Sequence, residues 1–158
     1  MFTKLVGTSN DFTQAALRLV LGLIFFAHGA QKMLGWFGGY GFTGTMGFFE
    51  QMGIPAAFAF LAIAAEFFGG LGLLLGFLGR IAAFGVMVNM VVAILLVHRH
   101  FGLFMNWAGN QKGEGFEYHL LAIALALAII VRGSGAFSLD RLLTTNSDSS
   151  RAGRLATA

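Results

Sequence analysis

The 158-residue chain contains no cysteine and a single proline, Pro55. Without cysteine there is no disulfide framework, no thiol–disulfide exchange, no iron–sulfur ligation and no thiolate zinc site. Charge is scarce as well. Ten Lys and Arg with seven Asp and Glu make 11% of the chain, against roughly 25% in an ordinary soluble domain. Hydrophobic residues reach 57%, which leaves too little polar surface to coat a soluble globule of this size. These shortages exclude a disordered chain, a nucleic-acid binder built on basic surface and most soluble enzymes. A lipid bilayer as solvent removes the difficulty, because about 90 apolar residues supply about four spans at roughly 20 residues each. A single domain fits the length.

The charge-free stretches place those spans. Residues 81–97 carry no Asp, Glu, Lys or Arg, 51–79 carry only Glu66, and 19–31 and 118–131 carry none. Extended to their polar flanks, they predict membrane helices over about 12–34, 57–78, 81–98 and 117–132. Asp11 and Arg18 in the approach to the first span, and the lack of a small-residue cleavage site after it, argue against a cleavable signal peptide. The second and third spans are joined by little more than Gly79-Arg80, a tight antiparallel hairpin. The other connections, about 35–56 and 99–116, are long enough to carry function. The first mixes seven glycines with Trp36, Phe37, Tyr40, Phe42, Phe48 and Phe49, which predicts a re-entrant or interfacial segment rather than free coil. Gly133-Ser134-Gly135 ends the fourth span, Ser138 is placed to cap a short helical turn through Leu142 or Leu143, and the polar tail 144–158 reads as disordered. The fold class is therefore all-α: a polytopic, antiparallel four-transmembrane-helix bundle over 1–143 with two long outward loops.

Lys4, Arg80, Arg132, Arg141, Arg151 and Arg154 share the side of the termini, while Lys32, Arg99 and Lys112 lie on the other. Six against three puts both termini in the cytoplasm. The second span carries small residues at Ala62, Ala65, Gly69, Gly72, Gly76 and Gly79, a stripe that lets helix backbones approach closely in lipid.

Ionisable groups inside spans cost about 2.5–3.5 kcal/mol each when central, so they mark the inward faces. At about 100° per residue, Gln14, Arg18, His28 and Lys32 fall on one narrow arc of the first span. Glu66 lies roughly 14 Å below the outer end of the second. His98 and Glu117 sit at the outer ends of the third and fourth. The expectation is that His28, Glu66, His98 and Glu117 meet in the outer half of the bundle, where a histidine beside a carboxylate can handle protons near neutral pH. The competing structural roles are a buried ion pair of Glu66 with Arg18 or Lys32, an interhelical hydrogen bond from Asn89, and an interfacial setting for His100 and His119. No spacing matches a zinc-protease or c-type haem motif, so metal or haem is disfavoured, and no phosphate-binding glycine loop or nucleophile elbow is present.

The order of these motifs resembles the DoxX family of small four-helix membrane proteins. The resemblance rests on Arg18 followed by Phe25-Phe26-Ala27-His28-Gly29-Ala30-Gln31-Lys32, then Glu66-Phe67-Phe68-Gly69-Gly70 with Gly76 and Arg80, then His98, Gly115-Phe116-Glu117, and Gly133-Ser134-Gly135-Ala136-Phe137-Ser138-Leu139-Asp140. It covers about 12–143. Where many members carry Gly-Pro-Gly after the last span, this chain has Gly-Ser-Gly. The resemblance implies the bacterial inner membrane and, for some members, a membrane subunit of a quinone-linked oxidation system. In that role Glu66 or Glu117 accepts a proton, His28 or His98 relays it, Arg18 or Lys32 stabilises an anion, and Phe26, Phe67 and Trp36 line an apolar slot beside Phe25 and Phe68. With no Cys and no nucleotide motif, electrons need a bound cofactor, such as quinone, or a redox partner protein. A non-enzymatic scaffold or anchor subunit and a small permease, the latter as a homodimer, are the alternatives.

Overall fold

A computed structural model describes residues 5–145. Among them there are helices and turns and no strand. Five helices carry the architecture: α1 (Phe12–Leu34), α2 (Gly41–Gln51), α3 (Ala56–Leu75), α4 (Gly79–Leu96) and α5 (Glu117–Arg132). A sixth, α6, runs over 139–145. α1, α3 and α4 are each long and apolar enough to cross a membrane; the 16 residues of α5 rise about 24 Å. α1 packs on α3 and α5, α3 on α4, and α4 on α5, so the four long helices close into a ring. The core between them holds Leu21, Phe25, Leu73, Ala83, Val86, Met90, Ala122, Ala126 and Ile129. Large apolar side chains cover the outside of the same helices, among them Leu23, Leu61, Phe84 and Leu121. Such a surface belongs in lipid rather than water.

Local chemistry sets the boundaries. Asp11 caps α1 by accepting from the Gln14 N–H at 3.0 Å, and Gly35 ends it in the left-handed region at φ 75°. Pro55 stands at the N-cap of α3. Gly76, at φ 63°, closes α3 as the Phe77 N–H turns back to the Gly72 carbonyl at 2.9 Å. Ser138 caps α6, its Oγ accepting from the Arg141 N–H at 3.2 Å. The segment 35–56 contains a 3₁₀ turn and α2, which rests on α1 and α3 and is pinned by the Thr45 hydroxyl donating to the Lys32 carbonyl at 3.3 Å. Thr144 and Thr145 continue α6; from 146 on, the tail read as disordered lies outside the described residues.

The small-residue stripe of α3 faces α4: a Cβ on Gly69 would meet the Ala82 carbonyl and Val86, and one on Gly72 the Phe77 carbonyl. The tightest helix contact lies elsewhere. Gly22 and Gly29 of α1 and Gly70 of α3 bring those two backbones together, and a methyl group on Gly29 or Gly70 would collide with backbone atoms of Phe67 or Phe26.

Candidate functional site

Two polar centres occupy opposite ends of the bundle. At the end bearing the termini, Arg18 is fully buried. Its guanidinium donates to the carbonyls of Ser134 (2.7 Å), Leu74 (2.9 Å), Phe137 (3.1 Å), Ala136 (3.3 Å) and Leu73. A planar fork of five N–H donors suits this task as no lysine could. Arg80 does likewise for the end of α5, donating to Ile130 and Val131, and to Gly7 at 3.0 Å. Asp140, 1% exposed, accepts from the Leu78 N–H (2.8 Å), the Gly79 N–H (2.9 Å) and the Ser134 hydroxyl (2.6 Å). Cations sit at the carboxyl ends of α3 and α5 and an anion at the amino end of α4, each where the helix dipole favours it. The sequence suggests Arg18 as a cofactor ligand or a partner of Glu66. The structure lays its side chain against the end of α3 at Leu73 and Leu74, seven residues and about 10 Å along the axis beyond Glu66, with its donors spent on backbone.

The second centre lies toward the long loops. Gly29 packs against the α3 backbone at Glu66 and Phe67, which sets Lys32 about one turn above Glu66. Helical side chains lean toward their own N-terminus, and these two helices run in opposite directions here, so the two side chains lean toward each other. Lys32 Nζ pairs with Glu66 Oε2, with side chains 28% and 8% exposed. Asn89 Nδ2 of α4 donates to Glu66 Oε1 at 2.9 Å. Three helices thus converge on one carboxylate, and α5 adds the Tyr118 hydroxyl, which is buried without a hydrogen-bond partner among the described residues and lies within electrostatic reach of Glu66. On the same α1–α3 contact the Phe26 and Phe67 rings stack with centroids 5.5 Å apart, and Phe68 meets Phe67 edge-on at 5.1 Å.

The other expected members are placed differently. His28 is exposed and makes no hydrogen bond among the described residues; it lies at the rim of the inward arc, one turn below Lys32, because its wheel position is the farthest of the four from Arg18. Glu117 turns to the loop, accepting from the Met105 N–H at 2.9 Å and Trp107 Nε1 at 3.2 Å. These contacts fix the 102–116 connection. Trp36 is exposed, with its ring 6.2 Å from that of Phe37 rather than on Phe26 or Phe67. His98 does not reach Glu66 directly. Its Nδ1 bonds the Glu114 carbonyl at 2.8 Å, and its ring lies 4.1 Å from that of His119. His119, read as interfacial, is 6% exposed, and its Nδ1 has no partner among the described residues. Gln14 faces inward at the terminal end, well away from Glu66. Asn89 makes the interhelical hydrogen bond expected of it, with Glu66 as the acceptor, whereas Tyr118 is not among the residues singled out from the sequence. The available signals were a lone tyrosine at the start of a span and an amide on the small-residue face of α4. Among the described residues no three His, Asp or Glu side chains gather as metal ligands.

Comparison with known proteins adds the lineage. The DoxX family model matches residues 13–99, more than half of the chain. The chain belongs to the DoxX family. It is 34% identical over 134 residues to "Inner membrane protein YqjF" of Escherichia coli strain K12, covering 85% of this chain and 94% of that protein. It is 32% identical over 124 residues to "Putative oxidoreductase CatD" of Bacillus subtilis strain 168, covering 78% and 81%. No solved structure matches it. This DoxX protein is an integral membrane protein whose Lys32, Glu66, Phe26, Phe67, Asn89 and His28 all fall within the matched family segment, whereas Tyr118, His119 and the Asp140 cap lie beyond it.

Proposed function

We propose that this DoxX protein is a quinone-linked redox component, a membrane subunit of an oxidoreductase system, with Lys32, Glu66 and Asn89 as its head-group site. One observation carries the reading: a carboxylate held between an ammonium and an amide at bilayer depth, with a stacked aromatic pair on the same α1–α3 contact. The residues fit the group. A quinone head needs donors toward its carbonyl oxygens and an apolar wall, and Lys32, Asn89 and the orphan Tyr118 hydroxyl are donors. When bound, quinone supplies the two-electron chemistry that the side chains lack. Glu66 takes up or gives a proton, Lys32 offsets the charge on whichever oxygen is anionic, and Asn89 orients the carboxylate. Phe26 and Phe67 flank the site, and His28 marks the lipid-facing rim one turn below it. Arg18, Glu117 and Trp36 have no part in this site. The name of one relative, "Putative oxidoreductase CatD", supports the reading. The electron donor is a partner protein or bound cofactor, and both termini face the cytoplasm of a bacterial cell.

Binding of a short-chain benzoquinone to the purified protein tests this. Glu66→Gln and Lys32→Met are expected to weaken binding by about tenfold or more, the loss of one charge-assisted contact. Unchanged binding in both folded variants, or none in the native protein, rejects the reading. The second reading is a scaffold in which the same triad only fixes helix register. Its support is that both Glu66 oxygens are already occupied; it predicts lower folded yield for Glu66→Gln with no redox phenotype in cells.

A further inference from the structure

We propose that His98, His119 and Tyr118 form the proton route between the loop end of the bundle and Glu66. The inference rests on Glu66 as the proton-exchanging group of the reading above. The three side chains are successive neighbours. His98 is partly exposed in the turn after α4. A carbonyl only accepts, so its Nδ1 against the Glu114 carbonyl carries the hydrogen and leaves Nε2 as the basic nitrogen. Its ring lies 4.1 Å from that of buried His119, whose ring is in turn 5.5 Å from that of Tyr118. Buried polar atoms in folded proteins nearly always have partners. Here two neighbours, His119 Nδ1 and the Tyr118 hydroxyl, have none among the described residues, and both lie on the core-facing side of the first turn of α5. Orphans of this kind are served by ordered water, which bridges groups not in direct contact. A purely packing role for the histidine pair gives no reason to bury an imidazole nitrogen without a partner.

The titratable groups around this line are Lys32 of α1, Glu66 of α3, His98, Arg99 and His100 after α4, Glu114 of the loop, and Glu117, Tyr118 and His119 of α5. A proton taken from the loop-end water by His98 Nε2 passes to His119. The Tyr118 oxygen accepts a proton from that side while its O–H gives one toward Glu66. The net change is one proton added to the Glu66 carboxylate and none to the tyrosine; no electron moves.

Infrared spectroscopy after a pH jump on the full-length protein in lipid tests the route without any quinone. The carboxyl C=O band lost in Glu66→Gln reports Glu66. In Tyr118→Phe and His98→Asn its appearance is expected to slow by about tenfold or more, in the range of a lost proton-transfer group, with the titration midpoint unchanged. Asn keeps a donor toward the Glu114 carbonyl, so His98→Asn spares the loop and decides the matter where Tyr118→Phe fails to fold. Native rates in the folded variants overturn the proposal, as does slowing that comes only with a shifted midpoint, or the lack of any Glu66 band at every pH the protein survives. Quinone binding does not enter the readout, so failure of the route and failure of the quinone reading are separate results.

Discussion

Arg18 and Glu66 are both charged and buried, and the protein handles them by different means. Arg18 is neutralised by carbonyls and a helix terminus, a setting with every donor placed and no room for a ligand. Arg18→Lys keeps the charge and loses the fork, so several carbonyls of the α3 and α5 ends go unpaired. A loss of about 2–4 kcal/mol is expected, read as a lower Tm in detergent, with quinone binding retained by the folded fraction. Glu66 is held by side chains from two other helices, and one of them, Lys32, is partly open to the outside. Breaking that pair leaves a charge without its partner and costs about 3–5 kcal/mol where burial is complete; the partial exposure of Lys32 lowers the figure. Glu117 has a third role. Glu117→Ala frees the Met105 N–H and Trp107 Nε1, about 1–3 kcal/mol of local stability, and limited proteolysis should then cut within 102–116 faster than in the native protein.

At the scale of elements, the contact between α1 and α3 fixes the site, because it decides which turn of one helix faces which turn of the other. Glycine makes it. Gly29→Ala and Gly70→Ala each place a methyl group into facing backbone, so the helices must part. Each is expected to lower Tm through a loss of at least about 1–3 kcal/mol and to separate Lys32 from Glu66. Gly47 of α2 has open space where its Cβ would go, so Gly47→Ala is expected to be neutral or to stabilise by up to about 1 kcal/mol. The three together separate close approach from helix propensity. The connection between α3 and α4 is held under strain at Leu78, at φ 50°, a left-handed setting costing about 1–2 kcal/mol for a side-chain-bearing residue. Asp140 offsets it through two backbone N–H groups and Ser134. Thus the 133–140 segment after α5 is a clamp on the α3–α4 turn.

For the whole molecule, the ring of helices puts the ion pair and the long loops at one end and the backbone clamps at the other. Lipid covers the sides, where the exposed apolar residues lie. The cysteine-free chain makes orientation directly testable. A single cysteine at Gln111 is expected to react with a membrane-impermeant maleimide in intact cells, and one at Thr145 only after lysis. The reverse pattern would invert the proposed orientation and with it the side on which His98 takes its proton.

Composition and charge-free runs determined that the chain is helical and lives in a membrane, and they located the long helices to within a few residues, α1 at 12–34 and α5 at 117–132 among them. That much is legible because a bilayer penalises every unpaired polar group, so the requirement is written residue by residue along the chain. The end of the last span at Gly133 and the cap at Ser138 were legible for the same local reason. The polar partnerships were not. Arg18 and Lys32 share an arc of α1, and the wheel alone cannot tell which of them reaches Glu66; the axial offset between α1 and α3, set by Gly22, Gly29 and Gly70 meeting the opposite backbone, assigns Lys32. His28 stands one turn from Lys32 yet faces outward, and Tyr118 arrives only because α4 and α5 close the ring. Helical period is a property of one segment, whereas the register between segments is fixed by where their backbones can touch, and only the tertiary structure decided that.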